Sequence, residues 1–470
     1  MAVSVGFISL GCSKNLVDSQ VMAGYLKSGA IALAQSPEVA DVILVNTCSF
    51  IEAAREEAAE AILGACEHKK TGGCRAVIVT GCMVQRYRER LSKAFPDVDA
   101  FVGIDELEQI AEVVRRVAAG KSCGVIVAKG APVKVYNPTY PSLLFTGGPF
   151  AYLKIADGCD HRCAYCAIPN IRGQFRSRGS DELVKESAGM VRAGVKEINL
   201  ISQDSLHYGQ DKQGEVPIAE LMRRIDALEG DFRFRVLYGY PAGVTDDVLE
   251  VLNTARHVCK YLDLPVQHSH PDILRAMNRG KAVAATQDLA ARLRQSVPGV
   301  VLRTTCLVGF PHETEEHFEH LMAYVAQEKF DHLGVFAFSP EEETPAFEMD
   351  GVPDPEVAEE RCQRLMALQK TIVAERAEAL KGTVDTALLL RQESPTVWVG
   401  RLPRQAPDVD GETRVTGVPR QAKMGDFARV EITGGKEYDL DARVLEGKGG
   451  HKARPYGRAG APRRPEKGEQ

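Results

Sequence analysis

The sequence predicts an α/β protein with three domains: an N-terminal parallel α/β domain, a central partial barrel of six βα units and a small C-terminal antiparallel β-barrel. Three observations support this prediction. Apolar runs alternate with amphipathic runs up to about residue 380. A segment rich in Gly, Pro and Thr at 121–144 interrupts this alternation. After residue 380 the sequence changes to short strands between turn residues. The predicted limits are 1–120, a linker at 121–144, 145–380, 381–446, and a disordered basic tail at 447–470.

Both α/β regions show the repeat that is typical of a parallel sheet. A helix-like stretch follows each apolar run, and six such units suit an incomplete barrel, because a closed barrel needs eight. The later short strands suit a small β-barrel. The predicted strands are 3–9, 41–46, 76–80 and 98–104, then 151–157, 195–201, 232–238, 258–264, 300–310 and 332–339, and finally TALLLRQ, TVWVGRL, ETRVTG and ARVEI.

The composition is that of an ordinary globular protein, with 470 residues of which 44% are hydrophobic and 26% charged. The net charge is −6, but residues 447–470 carry seven Lys/Arg and two Glu, so this tail is +5 and the rest is −11. No apolar run approaches a membrane span, and the start MAVSVGFISLGC lacks the basic region of an export signal. We therefore expect a cytoplasmic protein whose twelve cysteines are ligands, reactive thiols or core residues rather than disulfides.

Three cysteines in one loop, Cys159, Cys163 and Cys166, have the spacing Cys-x3-Cys-x2-Cys in GCDHRCAYCAIPNIRG. Three thiolates can hold a cubane iron–sulfur cluster and leave its fourth iron open for another ligand. The alternative is a structural zinc site with His161 as the fourth ligand. The cluster is favoured because His161 lies awkwardly between two ligands, and because the loop follows the first barrel strand, at the edge where barrel active sites lie.

A second set of cysteines is separated by the length of one βα unit. Cys12, Cys48 and Cys82 each follow a predicted strand, in LGC, NTC and TGC. Because the carboxyl ends of parallel strands lie at one edge of a sheet, we expect the three thiols to meet there and hold a second metal centre. The alternative is that they are small buried apolar residues, which is common for free cysteine.

Three further residues are candidates for binding a cofactor. Tyr165 stands between two of the loop cysteines, where its ring would stack on a cofactor or shield the cluster from water. Gln203 follows the second barrel strand and is expected at the barrel mouth. Arg303 lies inside the fifth strand, and a buried arginine needs a partner, which is either a cofactor carboxylate or a structural ion pair.

The loop motif after the first strand of a partial barrel resembles that of the radical S-adenosylmethionine (radical SAM) enzymes. The strand-end cysteines before it and the β-barrel after it narrow the resemblance to the methylthiotransferases, whose last domain is called TRAM. Within that family, GCSKNLVDSQ, NTCSFIEAAREEAAEAI and FSPEEETPA are similar to the RimO branch. The tRNA-modifying MiaB branch usually carries a Gln-Met-Asn sequence where this chain has Ser13-Lys14-Asn15.

The resemblance implies an enzyme that adds a methylthio group to the β-carbon of one aspartate in the twelfth small-subunit ribosomal protein. It implies S-adenosylmethionine and two 4Fe-4S clusters as cofactors, with Cys159, Cys163 and Cys166 holding the cluster that cleaves S-adenosylmethionine and Cys12, Cys48 and Cys82 holding the cluster that presents sulfur. An electron donor such as flavodoxin or ferredoxin is expected, and the basic tail is expected to touch ribosomal RNA or to have no role.

Two other functions stay open from the residues. One is a MiaB-like tRNA adenosine methylthiotransferase, and the other is a non-enzymatic iron–sulfur scaffold or sensor. Residues 383–446 hold nine Lys/Arg and eleven Asp/Glu, a net charge of −2. An RNA-binding module is normally basic, so an acidic β-barrel favours a basic protein as the substrate.

Overall fold

The computed structural model describes residues 3–134 and 145–445. Two six-stranded parallel sheets and a closed five-stranded barrel follow one another along the chain, which confirms the predicted fold class. Residues 135–144 of the predicted linker and the whole of the predicted tail lie outside the described residues, and the domain limits stay predictions. In the described parts of the chain, no helix has the length and apolar character needed to cross a membrane.

The first sheet carries helices at the carboxyl ends of its strands. Its strand order is β2-β1-β3-β4-β5-β6, and all five pairs are parallel. The strands are β1 (Ser4–Ser9), β2 (Ala32–Leu33), β3 (Val42–Thr47), β4 (Ala76–Gly81), β5 (Ala100–Val102) and β6 (Gly124–Ile126), and the helices are α1 (Ser13–Ser28), α2 (Glu52–Thr71), α3 (Cys82–Tyr87), α4 (Glu89–Ala94) and α5 (Ile110–Ala118).

Two edge strands of this sheet, β2 and β6, have no counterpart among the predicted strands. They contain two and three residues, so neither is long enough to show an apolar pattern. Strand β6 lies in the segment predicted as a linker and pairs with β5. The sheet therefore extends past residue 120 at one edge.

The second sheet is the predicted partial barrel, with order β14-β13-β12-β11-β10-β7 and parallel pairs throughout. Its strands are β7 (Phe150–Lys154), β10 (Glu197–Ile201), β11 (Arg233–Val236), β12 (Val258–Asp263), β13 (Val301–Val308) and β14 (His332–Ala337), with a separate pair β8 (Ala156–Asp157) and β9 (Arg176–Ser177). The helices are α6 (Ile168–Arg172), α7 (Ser180–Arg192), α8 (Ile218–Asp226), α9 (Asp246–Thr254), α10 (Pro271–Ala276), α11 (Ala282–Thr286), α12 (Leu289–Ser296), α13 (Glu315–Glu328) and α14 (Pro355–Leu380).

The last domain is a closed barrel in the order β15-β16-β17-β19-β18. Four of its strand pairs are antiparallel, whereas β17 and β19 pair in parallel. The strands are β15 (Val384–Ser394), β16 (Val397–Arg401), β17 (Thr413–Thr416), β18 (Phe427–Lys436) and β19 (Asp439–Val444).

The interior of the partial barrel is packed by the two flanking domains. Leu16 and Val17 of α1 and Ala406 from the loop between β16 and β17 form one apolar cluster with Tyr152 and Tyr261 of the barrel. A six-stranded barrel leaves an open side, and these residues cover it. The three domains are therefore joined around one small core.

A buried carboxylate fixes the last domain to the barrel. Glu197 of β10 accepts hydrogen bonds from Arg233 Nε at 2.7 Å and from Arg401 Nε at 3.0 Å, and the Arg235 guanidinium lies 3.3 Å away. Burial opposes the ionisation of Glu197, but the three arginines outweigh it and hold the pKa of this carboxyl well below its usual range. Arg401 belongs to β16, so this ion cluster spans the domain boundary.

We expect Glu197→Gln to destabilise the protein by at least about 3 kcal/mol, because three buried guanidinium groups lose the anion that they share. Urea unfolding followed by circular dichroism measures this change. Glu229→Gln, at an exposed glutamate that forms no ion pair among the described residues, is the matched control and should change the free energy of unfolding by less than about 0.5 kcal/mol. Equal effects of the two substitutions would show that the cluster does not hold the domains together.

Candidate functional site

The cysteines at the strand ends of the first sheet lie at one edge, as their positions predict. Cys12 directly precedes α1, Cys48 directly follows β3, and Cys82 begins α3 directly after β4. Gly11 has a φ of +85°, and a Cβ at this position would lie 2.7 Å from the Cys48 Cβ. Only glycine therefore allows the Cys12 loop to approach Cys48 this closely. We call these three cysteines the N-terminal triad.

One side chain, that of Asn15, joins the loops that carry this triad. Its Nδ2 donates to the carbonyl oxygens of Leu10 at 3.1 Å and Thr47 at 2.9 Å, which precede two of the cysteines. Its Oδ1 accepts from the Cys82 thiol, with 3.6 Å between the two heavy atoms. No sequence pattern assigned a role to Asn15, which is marked in the sequence by its position three residues after Cys12.

The chemistry of the N-terminal triad fits a metal centre. Burial raises the pKa of Cys82 to about 12; the charge of Arg172 opposes this shift, whereas the charges of Cys48 and Cys12 add to it. Burial and the charge of Cys12 likewise raise the pKa of Cys48. Thiols that oppose one another's ionisation in this way are stabilised as thiolates by a bound metal cation.

The second set, which we call the barrel triad, lies in the loop between β8 and α6. The backbone N–H of Cys159 donates to the carbonyl of Gly173 at 3.1 Å, and that of Cys166 donates to the carbonyl of Cys163 at 3.1 Å, so the loop is folded back on itself. Burial raises the pKa of Cys159 and of Cys166 to about 12, and charge on neighbouring thiols adds to both shifts. This donor set resembles that of the N-terminal triad.

The spacing of the sulfurs separates a cluster from a single zinc ion. Tetrahedral zinc with bonds of 2.3 Å brings its sulfur ligands to roughly 3.8 Å from one another. Among the described residues, neither triad has all its sulfurs within 4.8 Å of one another. A cubane with one iron per thiolate needs a wider spacing, because the iron–iron separation adds to the two iron–sulfur bonds. Neither triad therefore has the compact spacing that a single zinc ion requires.

The side chain of His161, the proposed fourth ligand of a zinc site, has other partners. Its Nε2 lies 2.7 Å from Asp204 Oδ2, and its ring stacks on Tyr240 with 4.0 Å between the ring centroids. Asp204 also accepts hydrogen bonds from the backbone N–H groups of Leu206 and Tyr240, so it caps the local turn. The zinc alternative therefore loses its expected donor.

Each triad receives a hydrogen bond from one buried arginine that the sequence pattern did not connect with it. Arg172 Nη2 donates to Cys82 Sγ at 3.3 Å, and Arg279 Nη1 donates to Cys163 Sγ at 3.5 Å. Donors to the sulfurs stabilise thiolates and help to set the reduction potential of an iron–sulfur cluster. Arg279 follows α10 and lies over the Tyr240 ring at 4.4 Å.

The two triads are adjacent across the boundary between the first two domains. Cys82 packs against Ala167 and Ile171, and Ala167 directly follows Cys166 of the barrel triad. Arg172, which lies in α6 with Ile171, donates hydrogen bonds to Cys82 Sγ and to Asn15 Oδ1, the latter at 2.6 Å. Cys82 of the N-terminal triad therefore lies against the helix that directly follows the barrel triad.

Four buried charges hold this arrangement, and we call them the interdomain ion network. Asp18 of α1 accepts from Lys154 Nζ at 2.6 Å and from Arg172 Nη1 at 2.8 Å. Asp157 of the barrel accepts from the same two groups at 3.0 and 3.1 Å. Burial disfavours ionisation of Asp157, but Lys154 and Arg172 outweigh it and hold its pKa well below the usual range.

Two of the three predicted cofactor-binding residues lie beside the barrel triad. Gln203 Nε2 donates to Asp157 Oδ1 at 3.0 Å, while Gln203 Oε1 is buried and has no hydrogen-bond partner among the described residues. Such an orphaned acceptor fits a ligand that donates hydrogen bonds. Tyr165 packs edge-on against Phe310, with centroids 6.5 Å apart, next to Cys163.

Arg303 instead has partners within the chain. Its Nη1 donates to Asp410 Oδ1 at 2.6 Å, and its Nε lies 3.8 Å from Asp263 Oδ1. Asp410 belongs to the last domain and also accepts from the Tyr261 hydroxyl at 2.7 Å. These contacts are those of the ion-pair alternative, and a contact of Arg303 with a cofactor stays a prediction.

Comparisons with known proteins agree with this architecture. Three family models match the chain: Uncharacterized protein family UPF0004 at residues 4–103, the Radical SAM superfamily at 153–325 and the TRAM domain at 382–445. A solved structure of the radical S-adenosylmethionine methyltransferase TsrM from Kitasatospora setae has a TM-score of 0.55 and 13% identity, covering 82% of this chain and 77% of that one, which is a likeness of fold. The chain is thus a radical SAM enzyme with an added domain on each side.

Similar curated proteins define the family more narrowly. The ribosomal protein uS12 methylthiotransferase RimO of Heliobacterium modesticaldum is 40% identical over 447 residues, which cover 95% of this chain and 96% of that protein. The protein of the same name from Pelotomaculum thermopropionicum is 41% identical over 448 residues, covering 95% and 100%. This chain belongs to the RimO family. The predicted family is confirmed, and with it the predicted cofactors, S-adenosylmethionine and 4Fe-4S clusters.

We expect Arg172→Met to lower the free energy of unfolding by about 3–5 kcal/mol, because Asp18 and Asp157 would then share a single buried cation. Chemical unfolding followed by circular dichroism measures the loss, and limited proteolysis between the first two domains should become faster. Arg162→Met, at an exposed arginine of the loop that holds the barrel triad, is the control and should leave both measurements unchanged. An unchanged Arg172→Met protein would contradict a stabilising role for the network.

Proposed function

We propose that this chain adds a methylthio group to the β-carbon of one aspartate of ribosomal protein uS12. The observation that supports this most strongly is the pair of cysteine triads that face one interdomain boundary, each with its own arginine donor. Radical chemistry of this kind needs a C–H cleaving centre and a sulfur-presenting centre close to the same carbon. A scaffold or sensor would need neither the second triad nor its placement.

In this proposal, Cys159, Cys163 and Cys166 hold the cluster that binds S-adenosylmethionine, and Cys12, Cys48 and Cys82 hold the second cluster. When bound, these cofactors supply the radical that removes an unactivated hydrogen and the sulfur that replaces it. The role of the protein is positioning: Asn15 and Arg172 hold Cys82 towards the barrel, and Gln203 offers an acceptor to the cofactor. The packed domain boundary limits the access of water.

The remaining partners belong to the same proposal. Reduction of the barrel cluster requires an electron donor such as flavodoxin or ferredoxin. We place the reaction in the cytoplasm, where ribosomal proteins are made and assembled, and we propose that the basic residues of 447–470 contact ribosomal RNA when the substrate is on the ribosome. The net charge of −2 on residues 383–446 favours a basic protein over tRNA as the substrate.

Mass spectrometry of ribosomal proteins and of tRNA from cells with and without this gene tests the proposal. We expect the methylthio mass on one aspartate of uS12 to disappear in the deletion strain, while methylthiolated tRNA adenosine is unchanged. The reverse pattern would identify the tRNA reaction instead. Expression of the gene from a plasmid is the control and should restore the modification.

Alanine substitution of each triad separates the two proposed roles. The triple variant at Cys159, Cys163 and Cys166 should lose cleavage of S-adenosylmethionine and keep about half of the iron, because the N-terminal triad is intact. The triple variant at Cys12, Cys48 and Cys82 should keep cleavage and lose methylthiolation. Iron content after anaerobic purification and 5′-deoxyadenosine release measure these outcomes.

Two cysteines outside both triads provide the control for these variants. Cys66 is buried in the core of the first domain, and Cys123 is near its edge, so a Cys66→Ala, Cys123→Ala double variant should keep all the iron and both activities. Sulfur transfer at the normal rate by the N-terminal triple variant would show that the assignment of roles is wrong.

A further inference from the structure

A buried lysine that has no hydrogen-bonded counter-ion among the described residues lies between the N-terminal triad and the barrel mouth. Lys14 is in the first turn of α1, two residues after Cys12, and only 6% of its surface is exposed. Its Nζ lies 2.9 Å from the centre of the Tyr238 ring. No salt bridge or hydrogen bond of this ammonium group is found within the described residues, although Cys12, Asp263 and Asp157 are close enough to attract it electrostatically.

This placement is costly for the protein alone. A buried ammonium group without a hydrogen-bonded counter-ion loses its hydration with little compensation. The amino end of a helix carries partial positive charge, so a lysine in the first turn of α1 is further disfavoured. The face of the Tyr238 ring offsets part of this cost through a cation–π contact, but it does not supply a negative charge. A ligand carboxylate at this point would satisfy both the ammonium group and the end of the helix.

The surroundings place Lys14 at the entrance to the barrel. Tyr238 follows β11 at its carboxyl end, and its hydroxyl lies 3.3 Å from Ser13 Oγ, which ties the start of α1 to the barrel. Asp263, at the carboxyl end of β12, accepts from the backbone N–H of Tyr238 at 3.2 Å. The carboxyl ends of barrel strands form the active-site face. The ammonium group thus lies between the N-terminal triad and the barrel mouth.

We propose that Lys14 binds the side-chain carboxylate of the aspartate that the enzyme modifies. The inference rests on the proposed function, since it assumes a protein substrate with an aspartate. The carboxylate is one bond away from the β-carbon, so an ion pair with Lys14 would fix which carbon lies between the two triads. Lys14 then selects an acidic side chain over an amide of the same shape.

The first test needs no variant of the enzyme. Binding of uS12 to the anaerobically purified holoenzyme is measured without reductant, so that no turnover occurs. Two forms of uS12 are compared: one with the aspartate that the enzyme modifies, located by mass spectrometry, and one with asparagine at that position. We expect the aspartate form to bind about 10- to 100-fold more tightly, as is typical of a buried charge-assisted contact. Equal affinities would overturn the inference.

The second test uses Lys14→Met, which keeps most of the length and packing of the side chain and removes its charge. This variant should bind the aspartate form about 10- to 100-fold more weakly and the asparagine form as before. Iron content and the spectrum of both clusters should be unchanged. Lys27→Met, at an exposed lysine of the same helix, is the control and should keep the full preference for aspartate.

The outcomes separate this inference from the proposed function. If wild-type enzyme modifies uS12 and Lys14→Met keeps the preference for aspartate over asparagine, the inference alone fails. If Lys14→Met loses iron from the N-terminal triad while the preference survives, Lys14 supports the cluster rather than the substrate, which also overturns it. If wild-type enzyme modifies no aspartate of uS12, the proposed function fails first.

Discussion

The interdomain ion network is the constraint on which the arrangement of the site depends. Asp18 comes from the first domain, whereas Lys154, Asp157 and Arg172 come from the barrel. Removing four charges from water is expensive, and the cost is recovered only when every pair is closed. Apolar surfaces tolerate small shifts, whereas a closed set of ion pairs permits one docking geometry. This geometry brings Cys82 against the helix that follows the barrel triad.

The last domain is fixed to the barrel by buried ion pairs of its own. Asp410 engages Arg303 and Tyr261, and Arg401 shares Glu197 with two barrel arginines. These contacts lie in the barrel interior, which a six-stranded sheet would otherwise leave open. Water at a site of radical chemistry would permit side reactions, so closing the barrel is as necessary as bringing the triads together. The TRAM domain therefore helps to close the barrel.

Local pattern was sufficient to single out the cysteines of both triads, because each occupies a position that strand periodicity or short spacing defines, and their role as cluster ligands stays a proposal. The partners of those cysteines depend on docking between domains, which local pattern does not encode. Arg172 reaches Cys82 across 90 positions, and Asn15 ties its own loop to Thr47 across 32. For Arg303, local pattern predicted part of the contact. Its place inside a strand predicts that it has a partner, but the identity of that partner, Asp410, could not be predicted because it lies 107 positions away.

Radical abstraction of hydrogen explains why so much of this structure is devoted to positioning. An acid–base enzyme can select a proton by its acidity, whereas a carbon radical attacks the C–H bond that lies within reach. Selectivity must therefore come from where the substrate is held. The cysteine triads belong to different domains, so the location of the reacting carbon is set by the docking of those domains. In the proposed role of Lys14, its charge binds the substrate carboxylate and so orients the substrate side chain relative to both triads.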